Sequence, residues 1–188
     1  KLIHLFNLAD KKGNTVLKSK LSEVQELLEM KDGKDKTIFH QLAESHPAEL
    51  ITLISELKAY FLEQTLTNLL GFQEEKGKTV FHQLAARHSA VLTQLILTLH
   101  EQNFSSEQLV NLLRIPDNKG KTIFHQLAKS NPNELIALLF GLKEKFSVVQ
   151  LNAILDMKDY EGQTILHYLS KSNADALRRF IFEFEKQL

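Results

Sequence analysis

The stretch that determines the fold is Gly120-Lys121-Thr122-Ile123-Phe124-His125-Gln126-Leu127-Ala128. Two nearly identical copies precede it, and a looser copy follows it. The threonines that mark the four copies are Thr37, Thr79, Thr122 and Thr164, at intervals of 42, 43 and 42 residues. A constant period of this size is typical of structural units stacked one on another.

Each copy of the stretch predicts the start of a short helix, helix A. Thr37 stands as its N-cap, and the apolar residues that follow fall on one helical face. A second start signal, Asn131-Pro132-Asn133-Glu134 or His46-Pro47-Ala48-Glu49, opens helix B with a proline at the first helical position. Ser105 and Ser147 open helix C with Ser-x-x-Gln capping boxes. Each full unit is therefore predicted to hold three helices.

The whole chain is predicted to be one all-α repeat array. Its first unit is degenerate and acts as a cap, since terminal repeats are usually atypical. Apolar residues recur in register along helix C, so Val24, Leu27 and Leu28 of this first unit are predicted to lie in the core. The predicted units are 1–36 (degenerate), 37–78, 79–121 and 122–163 (complete), and 164–188 (truncated).

Composition excludes several classes of protein. Hydrophobic residues make up 43% of 188 residues, which is enough for a packed core and argues against general disorder. The 23 basic and 23 acidic residues cancel, so we expect no nucleic-acid partner. Cysteine is absent, which excludes disulfides and cysteine-based zinc sites. No apolar run approaches the roughly 20 residues that span a bilayer, so we expect no membrane insertion.

The openings Asp117-x-x-Gly120-x-Thr122-x-Phe124-His125 and Asp159-x-x-Gly162-x-Thr164-x-Leu166-His167 resemble the start of the ankyrin repeat, with its turn followed by a helix. The resemblance implies a divergent, ankyrin-like α-solenoid with a third helix in each unit of about 42 residues. Isoleucine or valine stands where ankyrin repeats usually have proline, and glutamine replaces a customary leucine. An armadillo- or HEAT-type solenoid, which has a similar period, is the alternative architecture.

Histidine follows each marked threonine by three residues. Adjacent units stack about 10 Å apart, whereas ligands lie about 2 Å from zinc, so these histidines are not expected to bind a metal ion. The resemblance to ankyrin repeats implies that each histidine hydrogen-bonds to its threonine and to the backbone of an adjacent unit. This structural motif comprises Thr37 and His40, Thr79 and His82, Thr122 and His125, and Thr164 and His167.

The sequence contains no pattern that predicts catalysis. It has no cysteine and no Gly-x-Ser-x-Gly nucleophile motif. The Gly-Lys-Thr triplets at 77–79 and 120–122 lack the upstream glycine of a P-loop. The acidic pair Glu74-Glu75 is expected to lie solvated in a turn. We therefore expect no enzyme, no catalytic residues and no cofactor.

Lysine precedes three of the threonines, at Lys36, Lys78 and Lys121. Stacked units would align these lysines along one edge, and we interpret this row as a docking surface for an acidic partner. The alternative is that the lysines only maintain solubility, because acidic residues lie nearby in the sequence.

The exposed side of helix A, on the inner curve of the array, is the second candidate surface. Gln41, Gln83 and Gln126 occupy the same position there, and Tyr168 replaces them in the last copy. Tyr160 stands at the last turn, so we expect the Tyr160 and Tyr168 end to be the binding hot spot. Unselected surface is the alternative interpretation.

These patterns predict a non-catalytic scaffold that binds a partner protein on its inner helix face and turn edge. The alternative is a targeting or regulatory repeat segment of a larger enzyme, a role that the resemblance extends to effectors that intracellular bacteria deliver into host cells. We expect an intracellular protein, located in the cytoplasm or, for a delivered effector, in the host cytosol.

Overall fold

The computed structural model describes residues 15–185, and side chains from 20 to 182. Most of the degenerate first copy of the motif lies outside these residues. The described part of the chain holds twelve helices: α1 Thr15–Glu29, α2 Ile38–Ser45, α3 Pro47–Leu57, α4 Glu63–Gly71, α5 Val80–Arg87, α6 Ser89–Glu101, α7 Ser106–Leu113, α8 Ile123–Ser130, α9 Pro132–Lys143, α10 Val148–Leu155, α11 Ile165–Ser172 and α12 Ala174–Glu185.

The helices stack in three layers. The A helices α2, α5, α8 and α11 each hold eight residues, begin after a marked threonine and pack side by side in that order. The B helices α3, α6, α9 and α12 form a second layer against them, and α4, α7 and α10 follow as C helices. The predicted all-α solenoid is therefore confirmed. Each unit lacks a complete core of its own, and stacking buries its apolar face against its neighbours.

The B helices lie at the centre of the core. Helix α9 contacts α8 on one side, α10 on the other, and the neighbouring B helices α6 and α12. Its proline stands at the first turn, and Asn131 caps it by accepting a hydrogen bond from the backbone N–H of Glu134 at 3.4 Å. The apolar side chains that this helix buries are Leu135, Ile136, Leu138, Leu139 and Leu142.

The N-terminal end of the described array departs from the predicted register. Leu27, predicted to lie in the core, is 61% exposed, whereas its counterpart Leu69 is buried between units. Ile38 is 39% exposed and its counterpart Val80 is 1% exposed, because α5 has α2 on one side and α2 has no equivalent A helix before it in residues 15–37. Identical sequence positions therefore differ in burial at the end of a stack.

The turn before each A helix is closed by the acidic residue five positions before the threonine. The Asp117 carboxylate accepts hydrogen bonds from the backbone N–H groups of Lys119 at 2.8 Å and Lys121 at 2.9 Å. Glu74 does the same for Lys76 and Lys78. Glu74 is only 8% exposed, so the expectation of a solvated residue is wrong: its carboxylate satisfies the backbone of the turn.

Neighbouring turns are joined by backbone hydrogen bonds. The N–H of Asn118 donates to the carbonyl of Lys76 at 3.0 Å, and the N–H of Tyr160 donates to that of Lys119 at 3.1 Å. Gly77 has φ +74°, and a Cβ there would lie 2.7 Å from the backbone nitrogen of Asn118. Glycine is therefore required at position 77 both by the turn conformation and by the approach of the next turn.

Candidate functional site

The repeated histidines link each unit to the next. Nε2 of His40 lies 3.0 Å from the carbonyl oxygen of Lys78, and Nε2 of His82 lies 2.9 Å from that of Lys121. His125 reaches the carbonyl of Gln163 at 3.1 Å in the same way. These are the hydrogen bonds that the resemblance to ankyrin repeats implies.

The other ring nitrogen of each histidine fixes its protonation. Nδ1 of His82 accepts from the backbone N–H of Thr79 at 3.2 Å, and a backbone N–H cannot accept in return. The ring is therefore neutral, with its proton on Nε2 directed at the carbonyl of Lys121. Burial lowers the pKa of His40, His82 and His125, since desolvation disfavours the charged ring.

The last histidine differs from the others. His167 keeps the bond to Thr164, with Nδ1 at 2.8 Å from the threonine hydroxyl, but its side chain is exposed. Among residues 20–182, Nε2 of His167 has no carbonyl partner. The structure therefore places the predicted histidines in one register and joins three of them to the next unit, so the role of these three is structural.

Two neighbouring grooves lie along this edge, between successive turns and A helices. Groove 1, with a volume of about 570 Å³, lies between the first two turns; groove 2, with a volume of about 590 Å³, lies between the second and third. Both are lined by the side chains of Glu75, Lys76 and Lys78. Groove 1 adds Lys34, Lys36, Glu44, Glu74, His82, Gln83, Ala86 and Arg87, whereas groove 2 adds Asp117, Asn118, Lys119, Lys121, His125, Gln126, Lys129 and Tyr168.

Groove 1 contains an internal ion pair. Nζ of Lys36 binds both carboxylate oxygens of Glu44, at 2.7 and 2.8 Å. Gln83 lies beside this pair, and its amide nitrogen, turned toward the available acceptors, donates to Glu44 Oε1 at 3.0 Å and to the carbonyl of His40 at 3.1 Å. One of the three predicted lysines is thus already paired.

Groove 2 has no such pair. Within residues 20–182, no carboxylate lies within ion-pair distance of the side chains of Lys119, Lys121 or Lys129. The Asp117 carboxylate at its edge is held by the backbone of its own turn. Groove 2 therefore presents unpaired positive charge.

An aromatic side chain forms one wall of groove 2. Nζ of Lys121 lies 5.1 Å from the centroid of the Tyr168 ring, a cation–π contact, and the Tyr168 hydroxyl donates to Asp159 Oδ2 at 2.7 Å. A hydrogen bond with the Tyr168 hydroxyl raises the pKa of Lys121, burial opposes this, and the charges of Asp159 and Glu161 add to the increase. Burial opposes ionisation of Asp159, yet the hydrogen bonds from Tyr168, Gln163 and Glu161 outweigh it and lower the pKa of this carboxyl.

The other predicted surface residues separate into different environments. Gln83 is only 7% exposed, so its predicted place on an open face is wrong: the neighbouring unit covers it. Gln126 is half-buried in groove 2, while Gln41 lines neither groove and donates to Asp32 at 3.4 Å. Tyr160 is 76% exposed at the tip of a turn and lies outside both grooves. The two tyrosines thus lie in different environments, and the binding hot spot stays a prediction.

The sequence analysis did not recognise the position that distinguishes the grooves. Seven residues after each marked threonine stand Glu44, Ala86, Lys129 and Lys171, so the charge at one register position changes along the array. Lys36 faces Glu44 in the structure, and the equivalent position relative to Lys121 is Lys129. Alignment of the four repeats by their threonines would have revealed this change.

No cluster of histidine, aspartate or glutamate suited to a metal ion occurs among the described residues. Nor does any helix in the described part of the chain have the length and apolarity to cross a bilayer.

Comparison with known proteins identifies the architecture. No protein-family model matches the sequence, and no curated protein does. Among solved structures, an ankyrin repeat domain from Acinetobacter baumannii AYE superposes with a TM-score of 0.53 at 14% identity, over 95% of this chain and 85% of that one. The chain has an ankyrin-like repeat fold. The recognition of a divergent ankyrin-type array is confirmed, with the third helix and longer period as its departures.

A second structure with this ankyrin-like fold is that of the yeast ribosomal protein Rps3 in complex with its chaperone Yar1. The matched chain has a TM-score of 0.54 and 16% identity, covering 86% of this chain and 92% of that one. At these identities the likeness establishes the fold.

Proposed function

We propose that this ankyrin-like array is a non-catalytic scaffold that binds a partner protein along the edge formed by its turns and A helices. The observation that carries the proposal is the pair of adjoining grooves, whose walls are repeated in register by the fold itself. Stacked repeats create extended surfaces of this kind, and such surfaces bind proteins.

Within each repeat, one set of residues maintains the structure and another lines the grooves, which supports the proposal. The histidine joins neighbouring units, the threonine orients the histidine, and the acidic turn residue holds the backbone of its own turn. The lysines beside them line the two grooves, and those of groove 2 have no internal ion pair within residues 20–182. Charge of this kind guides association and partner choice more than it stabilises a fold.

Affinity capture tests the proposed function. The immobilised chain is incubated with lysate, and the bound proteins are compared with those bound by a variant in which Lys36, Lys78 and Lys121 are all changed to glutamate. We expect at least one protein that binds the unaltered chain and is lost from this variant. A control carries Arg114→Glu and Lys158→Glu, two exposed side chains that line neither groove.

Two results would contradict the proposal. One is the failure of the unaltered chain to retain any protein above the level of the bare matrix. The other is equal loss of the captured protein in the control variant, which would place binding outside this edge. Circular dichroism of each variant verifies that the helices remain folded.

A further inference from the structure

We propose that groove 2 binds an acidic peptide segment of the partner protein and that groove 1 does not. This inference rests on the proposed scaffold function and adds the chemistry of the partner and its location. Its occupant is an extended segment whose carboxylates meet the lysines of groove 2.

The lysines of the two grooves differ in their ion pairs. The lysines that only groove 2 contains are Lys119, Lys121 and Lys129, and no carboxylate among residues 20–182 forms an ion pair with them. The basic side chains confined to groove 1 are Lys34, Lys36 and Arg87, and Glu44 already holds Lys36 at 2.7 Å. An incoming carboxylate would have to displace Glu44 to reach Lys36 in groove 1, whereas no carboxylate within residues 20–182 is ion-paired with Lys119, Lys121 or Lys129.

The charge of the residue seven positions after the threonine differs from one repeat to the next. Glu44 at this position supplies the internal counter-charge of groove 1. Lys129, at the same position of a later repeat, adds a positive charge to groove 2, which also holds Lys121, and the residue of groove 1 that aligns with Lys129 is the uncharged Ala86. Neighbouring like charges repel, and an acidic ligand removes that repulsion. The difference between the grooves is therefore built into one position of the repeat.

Tyr168 gives groove 2 an aromatic wall. Its ring is held in place at one end by Asp159 through the hydroxyl and lies against Lys121. A ring fixed in this way offers an apolar contact with little loss of side-chain freedom on binding, which is why tyrosine is common at binding hot spots. No tyrosine or phenylalanine lines groove 1. The residue that corresponds to Tyr168 one repeat earlier is Gln126, and two repeats earlier it is Gln83.

A peptide fits these observations better than a nucleic acid. Carboxylates interrupt the basic side chains of both grooves: Glu75 and Asp117 line groove 2, and Glu44, Glu74 and Glu75 line groove 1. The chain as a whole carries no net charge. A phosphate backbone would meet these carboxylates along its length, and nucleic-acid binding depends on many phosphate contacts.

Two matched variants of the full chain test the proposal. One carries Lys119→Glu and Lys129→Glu in groove 2, and the other carries Lys34→Glu and Arg87→Glu in groove 1. All four side chains belong to exposed residues, and both variants change the net charge by the same amount. Fluorescence anisotropy measures binding of a fluorescein-labelled hexaglutamate peptide at low salt, where such contacts are least screened.

We expect the groove 2 variant to bind hexaglutamate at least about tenfold more weakly than the unaltered chain, which corresponds to about 1.4 kcal/mol. The groove 1 variant is expected to differ from the unaltered chain by less than about threefold, because binding depends on location and not only on net charge. Equal loss in both variants, loss in neither, or no binding of hexaglutamate to the unaltered chain would overturn the proposal. Tighter binding of a labelled oligothymidylate than of hexaglutamate would also overturn it.

These outcomes remain distinct from failure of the scaffold function. A protein captured by the unaltered chain, and still captured by the groove 2 variant, refutes the acidic-segment inference while the scaffold function stands. If the unaltered chain captures no specific protein, the scaffold function itself fails.

Discussion

Groove 1 and groove 2 are built in the same way but differ in how their lysines are paired. Both lie between two turns closed by a carboxylate, and the histidines His82 and His125 stand in them at the same register position. In groove 1, Glu44 neutralises Lys36, whereas Lys121 of groove 2 has Lys129 at the repeat position that Glu44 occupies relative to Lys36. The comparison teaches that the repeat keeps the residues that join units and varies those that face the groove.

The largest effect is expected from the glycine that sets the spacing of the turns beside groove 2. Gly77→Ala places a side chain at φ +74° and 2.7 Å from the backbone nitrogen of Asn118. We expect the free energy of unfolding to fall by about 3 kcal/mol, from the strained conformation together with displacement of the next turn. Urea denaturation measures the change.

Gly162→Ala is the control for this substitution. Gly162 has a similar φ of +76°, but a Cβ there meets nothing within 4 Å. Its expected loss is about 1 kcal/mol, from the backbone conformation alone. Equal losses for the two substitutions would contradict the role assigned to the approach of the turns.

The next effect tests whether the two grooves share one frame. Replacing His40 or His82 with alanine removes a buried link to the next unit and leaves a threonine N–H and a lysine carbonyl unpaired. We expect each change to lower the free energy of unfolding by about 2 to 3 kcal/mol. His167→Ala, at an exposed site, is expected to cost less than about 1 kcal/mol. A large difference between His40→Ala and His82→Ala would show that the frames are not equivalent.

The same histidines predict a pH dependence common to both grooves. Burial lowers the folded-state pKa of His40, His82 and His125 below the ordinary value of about 6.5. As the pH falls below about 6.5, the unfolded chain takes up protons that the folded chain does not, so stability falls. The midpoint of thermal unfolding is therefore expected to be highest above pH 6.5 and to decrease from there toward pH 5.

Carboxylates act in a lower pH window. Hydrogen bonds from the backbone of Lys36 and Lys34 lower the pKa of Asp32, and the stabilisation they provide is lost only as the pH falls below about 4.

Replacement of His82 with asparagine tests the histidine assignment. We expect it to reduce the slope of the thermal midpoint against pH between pH 7 and pH 5, and to leave the loss of stability below about pH 4 unchanged. An unchanged slope in this variant would contradict the histidine assignment.

The smallest effect concerns the aromatic wall of groove 2. Tyr168→Phe removes the 2.7 Å hydrogen bond to Asp159 and keeps the ring beside Lys121. We expect about 1 kcal/mol of lost stability and less than a twofold change in hexaglutamate affinity. Gln41→Ala, which removes a long 3.4 Å bond to Asp32 at the equivalent site, is expected to change stability by less than about 0.5 kcal/mol. A large loss of affinity in Tyr168→Phe would assign the hydroxyl, and not the ring, to binding.

The sequence predicted the features that depend on local signals. The threonine before each A helix, the proline at the start of α9 and the serine caps of α7 and α10 all stand where the helices begin. These signals act within four residues along the chain, so a single repeat is enough to reveal them.

The features that depend on neighbouring units were not predictable in this way. Leu27 is exposed because of its place at the end of the described stack, and Gln83 is buried because the preceding unit covers it. The pairing of Lys36 with Glu44 spans eight residues around a turn and a helix, a separation that no helical period indicates. The electrostatic contrast between the grooves therefore required the three-dimensional arrangement of the repeats.

The most direct test of this account exchanges the distinguishing residues. A variant with Glu44→Lys and Lys129→Glu keeps the net charge of the chain. It replaces the internal carboxylate of groove 1 with a lysine and a lysine of groove 2 with a carboxylate. Backbone NMR of the chain titrated with hexaglutamate locates the bound peptide. The account predicts that the perturbed amides surround Lys119 and Lys121 in the unaltered chain and shift to those around Lys34 and Lys36 in the exchanged variant. Perturbations that stay in groove 2 after the exchange would contradict it.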